Sequence, residues 1–323
     1  MTAAATPARP RAIGIVLGDP NGIGPEIAMR AACAVGADPG GPRPVLIGDA
    51  HIVESHAALL GLSDEARARF DVHDVPALPP ADWRPGSVDA RAGAATVAYV
   101  GAAVRLCQEG GLAAIAAGPH SETAVNAAGI PFSGYSGLIA DLTSTPRDRT
   151  FLMLEACGLR IVHATLHERL ADAVARLAPE LVVAAARAAH ATVRGLGIDD
   201  PRACVLGINP HAGENGLFGD DDERVGRPAV ALLRQGGMKA DGPVGADLAL
   251  AERRHDFYIA MFHDQGHIAV KMLSPKGATA LVAGAPVLFA SVGHGAAFDI
   301  AGQGKADASA LTATVRMLAE AAT

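Results

Sequence analysis

The stretch Phe257-Tyr-Ile-Ala-Met-Phe-His-Asp-Gln-Gly-His-Ile-Ala-Val-Lys271 begins as an apolar run and changes abruptly to polar residues that include two histidines. Phe257–Phe262 has the aromatic and apolar character of a buried strand, and Gly266 indicates a turn just past the end of that strand. Two upstream stretches share the pattern, Arg160-Ile-Val-His-Ala-Thr-Leu-His167 and Ala203-Cys-Val-Leu-Gly-Ile-Asn-Pro-His211. We therefore predict three strands that each present a histidine at the carboxyl end.

These three histidines predict a metal site. Ligands of open α/β sheets bind outside the carboxyl ends of the strands, so His167, His211 and His263 are expected at one place. Three imidazoles leave coordination positions open, as a catalytic metal requires. The alternative is that they are surface or hydrogen-bonded core residues, as most of the 12 histidines must be. His163 and His267 are weaker candidates, although strand alternation puts His163 on the same face as His167.

Composition limits the class of protein. The 323 residues suffice for two domains, and 50% hydrophobic against 19% charged residues allows a sizeable core. A net charge of −7 without a basic cluster argues against nucleic-acid binding. No apolar run approaches the roughly 18 residues of a membrane span, and residues 1–11 lack the apolar segment of a signal peptide. We therefore expect a cytoplasmic protein that binds no membrane. The four cysteines lack metal-binding spacing and are interpreted as core residues.

Lysine is rare in this chain. Of 27 basic residues, four are lysines, at positions 239, 271, 276 and 305. Lys and Arg are not interchangeable where a point charge must be placed, so a lysine retained in an arginine-rich chain is a candidate for a chemical role. Lys271 lies eight residues after His263 and is our first candidate for a catalytic or substrate-binding cation.

Other polar residues lie in turns next to predicted strands. The strand Ile13–Leu17 leads into Gly18-Asp-Pro-Asn-Gly-Ile-Gly-Pro-Glu26, a turn that can receive an anionic ligand where its helix begins. It is not the Gly-x-Gly-x-x-Gly fingerprint, and a plain tight turn is the alternative. Asp19 in this turn, Tyr135 and Ser136 in a later loop, and Asp247 in a third could each face a ligand.

Four motifs resemble those of the 4-hydroxythreonine-4-phosphate dehydrogenase family of vitamin B6 synthesis. They follow one another along nearly the whole chain: Gly18–Glu26, Asn209-Pro-His-Ala-Gly-Glu214, His263-Asp-Gln-Gly266 with Lys271, and His294-Gly295 with Asp299-Ile-Ala-Gly302 and Gly304-Lys-Ala-Asp307. The resemblance implies two α/β domains of the isocitrate/isopropylmalate dehydrogenase type with a cleft between them. It also implies a homodimer, a divalent metal, and NAD or NADP.

The resemblance assigns parts of the chain to these ligands. Residues 1–130 plus 290–323 would form the dinucleotide-side domain, and 131–289 the metal-binding and dimerisation domain. The active site would be shared between chains. Zinc suits three neutral imidazoles best, with iron(II) as the alternative. The implied metal ligands are His167, His211 and His263, and the implied cofactor-binding residues are His294, Gly295, Asp299 and Gly302, with Asp19 from the first turn.

Departures from the family pattern concern the substrate. Members that act on the phosphorylated substrate carry His-Thr-Glu where this chain has Tyr135-Ser136-Gly137, and Asn and Arg where it has Ala280 and Phe289. The lost phosphate contacts are worth about 1.5–3 kcal/mol each. Four segments of this chain are instead similar to the terephthalate cis-dihydrodiol dehydrogenase branch of the family. They are Ser133–Tyr135, Val162–His167, His263–His267 and Ser291–Gly295. The implied substrate is 1,2-dihydroxycyclohexa-3,5-diene-1,4-dicarboxylate, with Tyr135, Ser136, Lys271 and Phe289 around it.

The implied reaction is an oxidative decarboxylation. Hydride passes from C2 to the nicotinamide, and loss of carbon dioxide from the resulting β-keto acid yields protocatechuate. Lys271 would stabilise the enolate, and Asp247 and Asp264 would orient ligands or move protons. A dehydrogenase of 4-hydroxythreonine 4-phosphate or a threonate phosphate is the runner-up. A metal-dependent hydrolase and a non-catalytic binding module remain alternatives, which NAD-binding and metal assays discriminate.

Overall fold

The computed structural model describes residues 12–275 and 277–321, and its polypeptide divides into two compact units. One unit ends at Phe132 and resumes at Val287, and the other is Ser133–Pro286. The sequence prediction placed these boundaries at 130/131 and 289/290. Residues 1–11, where we saw no signal peptide, and Lys276 lie outside the described residues. Among the residues described, no helix is both long and apolar enough to cross a membrane.

The first unit contains a parallel sheet. Its strands lie in the order β3-β2-β1-β4-β11. They are β1 Ala12–Val16, β2 Arg43–Gly48, β3 Asp71–Asp74, β4 Ala114–Ala117 and β11 Phe289–Val292. The helices are α1 Gly24–Val35, α2 Ala50–Leu59, α3 Asp64–Arg67, α4 Ala90–Gln108, α5 Glu122–Ala127 and α12 Ser309–Ala321. The interior strand β4 is buried throughout, as expected where helices cover both faces of a parallel sheet.

The second unit is built on a mixed sheet in the order β10-β5-β6-β9-β7-β8. Its strands are β5 Phe151–Ala156, β6 Leu159–His163, β7 Ala203–Leu206, β8 Ala240–Val244, β9 Phe257–Ala260 and β10 Thr279–Ala283. Strand β5 is antiparallel to both of its neighbours, whereas β6, β9, β7 and β8 run parallel. The helices are α6 Tyr135–Leu142, α7 Leu170–Arg176, α8 Pro179–Gly195, α9 Arg227–Gln235, α10 Ala246–Glu252 and α11 His263–Leu273.

The architecture is mixed α/β, as the sequence predicts. The isocitrate/isopropylmalate dehydrogenase type, the cleft and the functions assigned to each domain stay predictions. The sequence predicts a closing helix from Ser309 to Ala321, and α12 has these bounds. Pro25 suits the first position of a helix, and α1 begins one residue before it.

The predicted turn after β9 was wrong. His263 is the first residue of helix α11, and Gly266 lies inside that helix, where it is buried. A Cβ atom at Gly266 would lie 2.3 Å from His163 Nε2, so glycine is required for the helix to approach β6 this closely. The strands are also shorter than predicted, because β6 ends at His163 and His167 follows in the loop. Glycine at this position indicates close packing between a helix and a strand.

Candidate active site

The carboxyl ends of β6, β9 and β7 meet at one edge of the second unit. His163 is paired with Ala260 and Val205 with Ile259, so the segments that follow these strands begin side by side. Gln265 joins two of those ends, because its side-chain amide donates to Gly207 O at 2.7 Å while its oxygen accepts from Met261 N at 2.7 Å. The parallel register therefore brings histidines that are distant in sequence to the same edge.

Two of the predicted metal ligands lie together there. The ring centroids of His167 and His263 are 5.5 Å apart, and both residues line a cleft of about 330 Å³ with Phe262 and Asp264. Asp264 Oδ1 lies 2.7 Å from His263 Nδ1, so His263 can donate this hydrogen bond and keep Nε2 for a metal. A carboxylate behind a histidine ligand is the usual outer-shell arrangement of protein metal sites.

The third predicted ligand, His211, lies in the segment that follows β7. It begins a turn in which five consecutive residues, His211–Asn215, have left-handed backbone angles. The carboxylate of Asp222 accepts from the N–H groups of Ile208 and Asn209 at 2.8 and 2.9 Å and holds the entrance to the turn. Residues 12–275 and 277–321 contain no group of three or more His, Cys, Asp or Glu placed to bind one metal. The imidazoles fit a divalent metal chemically, and His167 and His263 line one cleft of this unit.

Two further histidines belong to the same edge. His267 lies one helical turn beyond His263, and their rings stack with centroids 3.7 Å apart. His267 Nδ1 is 3.0 Å from Nε2 of His163, whose own Nδ1 is 3.2 Å from Leu152 O. Burial lowers the pKa of His163 to about 3 and that of His267 to about 4, and the neighbouring imidazoles contribute to both shifts. Our sequence reasoning gave these residues less weight, although the i, i+4 spacing of His263 and His267 placed them on one helix face.

The other predicted catalytic residues, Lys271 and Asp247, belong to the same unit as the histidines. Lys271 is half-buried on α11, one turn past His267, so His263, His267 and Lys271 follow one face of the helix. Asp247 lies in the first turn of α10. A Cβ built at Gly245 would lie 2.9 Å from Asp247 Oδ1 and 3.7 Å from His211 Cα, which places Asp247 beside the His211 turn.

The predicted substrate contacts need two corrections. Tyr135 and Ser136 are the first residues of α6 rather than loop residues, and Tyr135 is 4% exposed. Phe289 lies in β11 with 0% of its surface exposed. A side chain enclosed on all sides cannot contact a substrate, so we no longer assign Phe289 to the substrate pocket. Its apolar character is explained by the core of the first unit.

The predicted cofactor loop packs against the glycine-rich turn of the first unit. Ile23 N donates to Ala296 O at 2.8 Å, and a Cβ at Gly22 would lie 2.7 Å from that same oxygen. Apart from its two chain neighbours, no heavy atom of the described residues lies within 4 Å of a Cβ built at Gly295, so a ligand can approach this backbone closely. His294 is half-buried beside it. The backbone at Gly295 is therefore open to a ligand, and the assignment of this loop to the cofactor stays a prediction.

The remaining predicted cofactor residues differ in accessibility. Asp299 is exposed in the short 3-10 turn Phe298–Ile300, and Gly302 follows that turn with a φ of 70°. Asp19, in contrast, is 0% exposed, and its Oδ1 accepts from Asn21 N at 2.9 Å. Its Oδ2 has no hydrogen-bond partner among the described residues, and burial raises its pKa to about 6. We therefore interpret Asp19 as a residue that shapes the turn and no longer as a direct cofactor contact.

Comparisons with known proteins agree on one family. The family described as "Pyridoxal phosphate biosynthetic protein PdxA" matches residues 41–318. A 1,2-dihydroxy-3,5-cyclohexadiene-1,4-dicarboxylate dehydrogenase from Comamonas sp is 46% identical over 95% of this chain and 97% of that protein. The crystal structure of a terephthalate 1,2-cis-dihydrodiol dehydrogenase from Burkholderia xenovorans LB400 is 45% identical with a TM-score of 0.74, covering 96% of this chain and 97% of that one. A 4-hydroxythreonine-4-phosphate dehydrogenase from Klebsiella pneumoniae is 33% identical with a TM-score of 0.84, covering 98% and 99%.

Proposed function

The chain belongs to the PdxA family, and from this premise we propose that it is a metal- and NAD-dependent dehydrogenase acting on the cis-dihydrodiol of terephthalate. The reaction is the oxidative decarboxylation of 1,2-dihydroxycyclohexa-3,5-diene-1,4-dicarboxylate to protocatechuate and carbon dioxide. The observation that carries the proposal is the full-length similarity, at 46% identity, to a dehydrogenase named for that compound. The departures from the phosphorylated-substrate pattern at Tyr135-Ser136-Gly137 and at Ala280 support the same choice.

The histidines at the carboxyl edge of the second unit are the proposed metal ligands. His263 would bind through Nε2 while Asp264 orients its ring, and His167 approaches it across the 330 Å³ cleft. A divalent metal, with zinc first and iron(II) second, would supply Lewis acidity that lowers the pKa of a substrate hydroxyl. Lys271, on the same face of α11, would place its positive charge near the enolate oxygen that develops as carbon dioxide leaves.

We propose a homodimer in which a second copy supplies the third ligand. The lack of a three-residue metal-binding group among the described residues of one chain supports this arrangement. Helix α11 also presents exposed apolar side chains, with Ile268 59% and Met272 78% exposed, on the face next to the histidines. Exposed apolar patches of this kind are typical of protein–protein contacts. The second unit would then be the metal-binding and dimerisation domain.

The cofactor is proposed to bind the first unit at His294, Gly295 and the turn that carries Asp299 and Gly302. NAD is our first choice and NADP the alternative. This unit would therefore be the dinucleotide-side domain. The assignment is supported by the open space at Gly295 and by the packing of Ala296 against the helix-opening turn. A location in the cytoplasm stays a prediction.

A direct assay tests the proposed function. Purified protein is incubated with NAD or NADP and either the dihydrodiol dicarboxylate or a phosphorylated hydroxy acid, and reduced nicotinamide, carbon dioxide and protocatechuate are measured. We expect efficient turnover of the dihydrodiol with release of carbon dioxide. Turnover confined to 4-hydroxythreonine 4-phosphate or threonate phosphate would replace our proposal with the runner-up. Hydrolysis without nicotinamide reduction would indicate a hydrolase.

A further inference from the structure

A chain of hydrogen bonds in the second unit runs from a backbone carbonyl through two histidines. Leu152 O lies 3.2 Å from His163 Nδ1, and His163 Nε2 lies 3.0 Å from His267 Nδ1. A carbonyl oxygen can only accept, so His163 must donate through Nδ1. The Nε2 of a neutral His163 then accepts, and His267 must donate to it through Nδ1. The Leu152 carbonyl therefore sets the donor-to-acceptor direction of both hydrogen bonds.

Burial of these two hydrogen bonds in the core fixes their geometry. His163 is 2% exposed, so little space is available for its ring to take another orientation. Gly266 lies against it, since a Cβ there would be 2.3 Å from His163 Nε2. A side chain at 266 would displace the ring on which His267 depends. The absence of a side chain at Gly266 thus permits the hydrogen bond between a strand and a helix that are 104 positions apart in the chain.

The same arrangement determines the state of the second ring nitrogen of His267, Nε2. With Nδ1 donating to His163, the neutral ring carries its lone pair at Nε2, which can only accept a hydrogen bond. The ring stacks on His263 at 3.7 Å and lies one turn before Lys271. A histidine with a set tautomer therefore lies between a proposed metal ligand and a proposed cation.

We propose that His267 is a specificity-determining residue whose Nε2 accepts a hydrogen bond from a substrate hydroxyl, and that His163 is the positioning residue that sets its tautomer. This inference rests on the proposed function and names the part of the substrate that is recognised. A lone pair repels a carboxylate but accepts from an O–H group, and the dihydrodiol carries two hydroxyls on adjacent carbons. Lys271, one helical turn away, favours acceptors such as a carboxylate, because its ammonium group can only donate hydrogen bonds.

Substitutions at His163 distinguish the contribution of the hydrogen bonds from that of side-chain packing. Glutamine carries one donor and one acceptor, so His163→Gln can donate to Leu152 O and accept from His267 Nδ1. His163→Leu fills similar space without either function. We expect His163→Leu to lower kcat/KM for the dihydrodiol by about 10–100-fold, as outer-shell partners usually do, and His163→Gln to recover most of that loss. The matched control is His56→Leu, which removes a buried histidine in the first unit and should leave kcat/KM unchanged.

The tautomer is read directly by nitrogen NMR of the zinc-loaded protein labelled at histidine, with zinc content measured in every variant. We expect His267 to be protonated at Nδ1 and unprotonated at Nε2 in the wild type and in His163→Gln, and to lose this preference in His163→Leu at constant zinc content. His267→Leu should likewise lower kcat/KM for the dihydrodiol while zinc stays bound.

Distinct results would overturn the inference. Protonation of His267 at Nε2 in the wild type would refute the tautomer assignment whatever the substrate is. Equal activities of His163→Leu and His163→Gln would refute the role of His163. Full activity of His267→Leu would refute the hydroxyl contact. If the wild type does not oxidise the dihydrodiol, the proposed function fails and the hydroxyl contact fails with it, whereas the NMR result still decides the tautomer.

Discussion

The Glu26 carboxylate accepts a hydrogen bond from Ala306 N at 2.9 Å, which joins helix α1 to a loop 280 positions later in the chain. Glu26 is 0% exposed and also accepts from Gly304 N and from the Arg30 guanidinium. Arg30 in turn donates to Gly304 O at 2.8 Å. A buried carboxylate with this many donors holds the segment that follows the proposed cofactor loop.

Replacing Glu26 by alanine should therefore destabilise the protein strongly. The change leaves the N–H groups of Ala306 and Gly304 and the partly exposed Arg30 guanidinium without their acceptor. Each buried donor left without a partner costs about 1–3 kcal/mol. Denaturant titration measures the free energy of unfolding, and calorimetry should show weaker NAD binding. Glu65→Ala is the matched control, because Glu65 pairs with Arg69 in solvent with 84% of its side chain exposed, and should cost at most about 1 kcal/mol. Equal stabilities of the two variants would contradict this account.

Asp19 should make the stability of the protein fall as pH rises. Burial raises its pKa from 3.8 to about 6, so the folded state holds the proton more tightly than the unfolded state. The stabilising contribution is complete below pH 3.8 and is lost as pH rises through about 6. Asp19→Asn should abolish this dependence and be more stable than wild type above pH 7 by about 3 kcal/mol. Thermal or denaturant unfolding across this pH range measures the difference, and the exposed Asp148→Asn should keep the wild-type profile.

Each of the three proposed metal ligands should be needed for metal binding and turnover. His167 and His211 are exposed, and His263 is half-buried at the first position of helix α11, so alanine at these positions should leave the fold intact. Metal content by mass spectrometry and kcat for the dihydrodiol should both fall to background. His190→Ala on α8 is the control and should retain metal and activity. A variant that keeps near-normal metal content and turnover would remove that histidine from the ligand set.

A shared active site predicts complementation between inactive variants. In a mixed dimer of His211→Ala and His263→Ala, one of the two sites would combine His211 of one chain with His167 and His263 of the other. Co-expression with two affinity tags isolates this mixed dimer, and about half of the wild-type activity per dimer should return. A fully active monomer by light scattering, or a mixed dimer without activity, would argue that each site lies within one chain.

Lys271 should contribute more to turnover than a lysine on the surface does. Lys271→Met should lower kcat/KM for the dihydrodiol by the equivalent of about 2–4 kcal/mol, because it removes a cation that stabilises developing negative charge. Lys239→Met is the control, since Lys239 pairs with Asp200 on the surface, and should leave kcat/KM unchanged. No useful activity on 4-hydroxythreonine phosphate is expected for any of the three proteins. If Lys271→Met leaves kcat/KM unchanged, Lys271 is not a catalytic residue.

The sequence by itself determined the class of fold, the elements with strong local signals and the family. The closing helix α12 was predicted with its observed bounds, and α1 was predicted from proline at its start, because such signals depend on residues within one or two turns. The histidines after three apolar runs likewise indicated the edge of the sheet where chemistry was expected. Resemblance in motif order then pointed to the family that the full-length comparisons bear out.

Only the tertiary structure decided which side chains meet and which are enclosed. His163 and His267 are 104 positions apart, and their contact depends on the pairing of β6 with β9 and on glycine at 266. Phe289 and Asp19 have the residue types of ligand contacts, yet packing from distant segments buries both completely. Local patterns determine secondary structure, whereas burial and contact depend on strand order and on the segments that cover each strand.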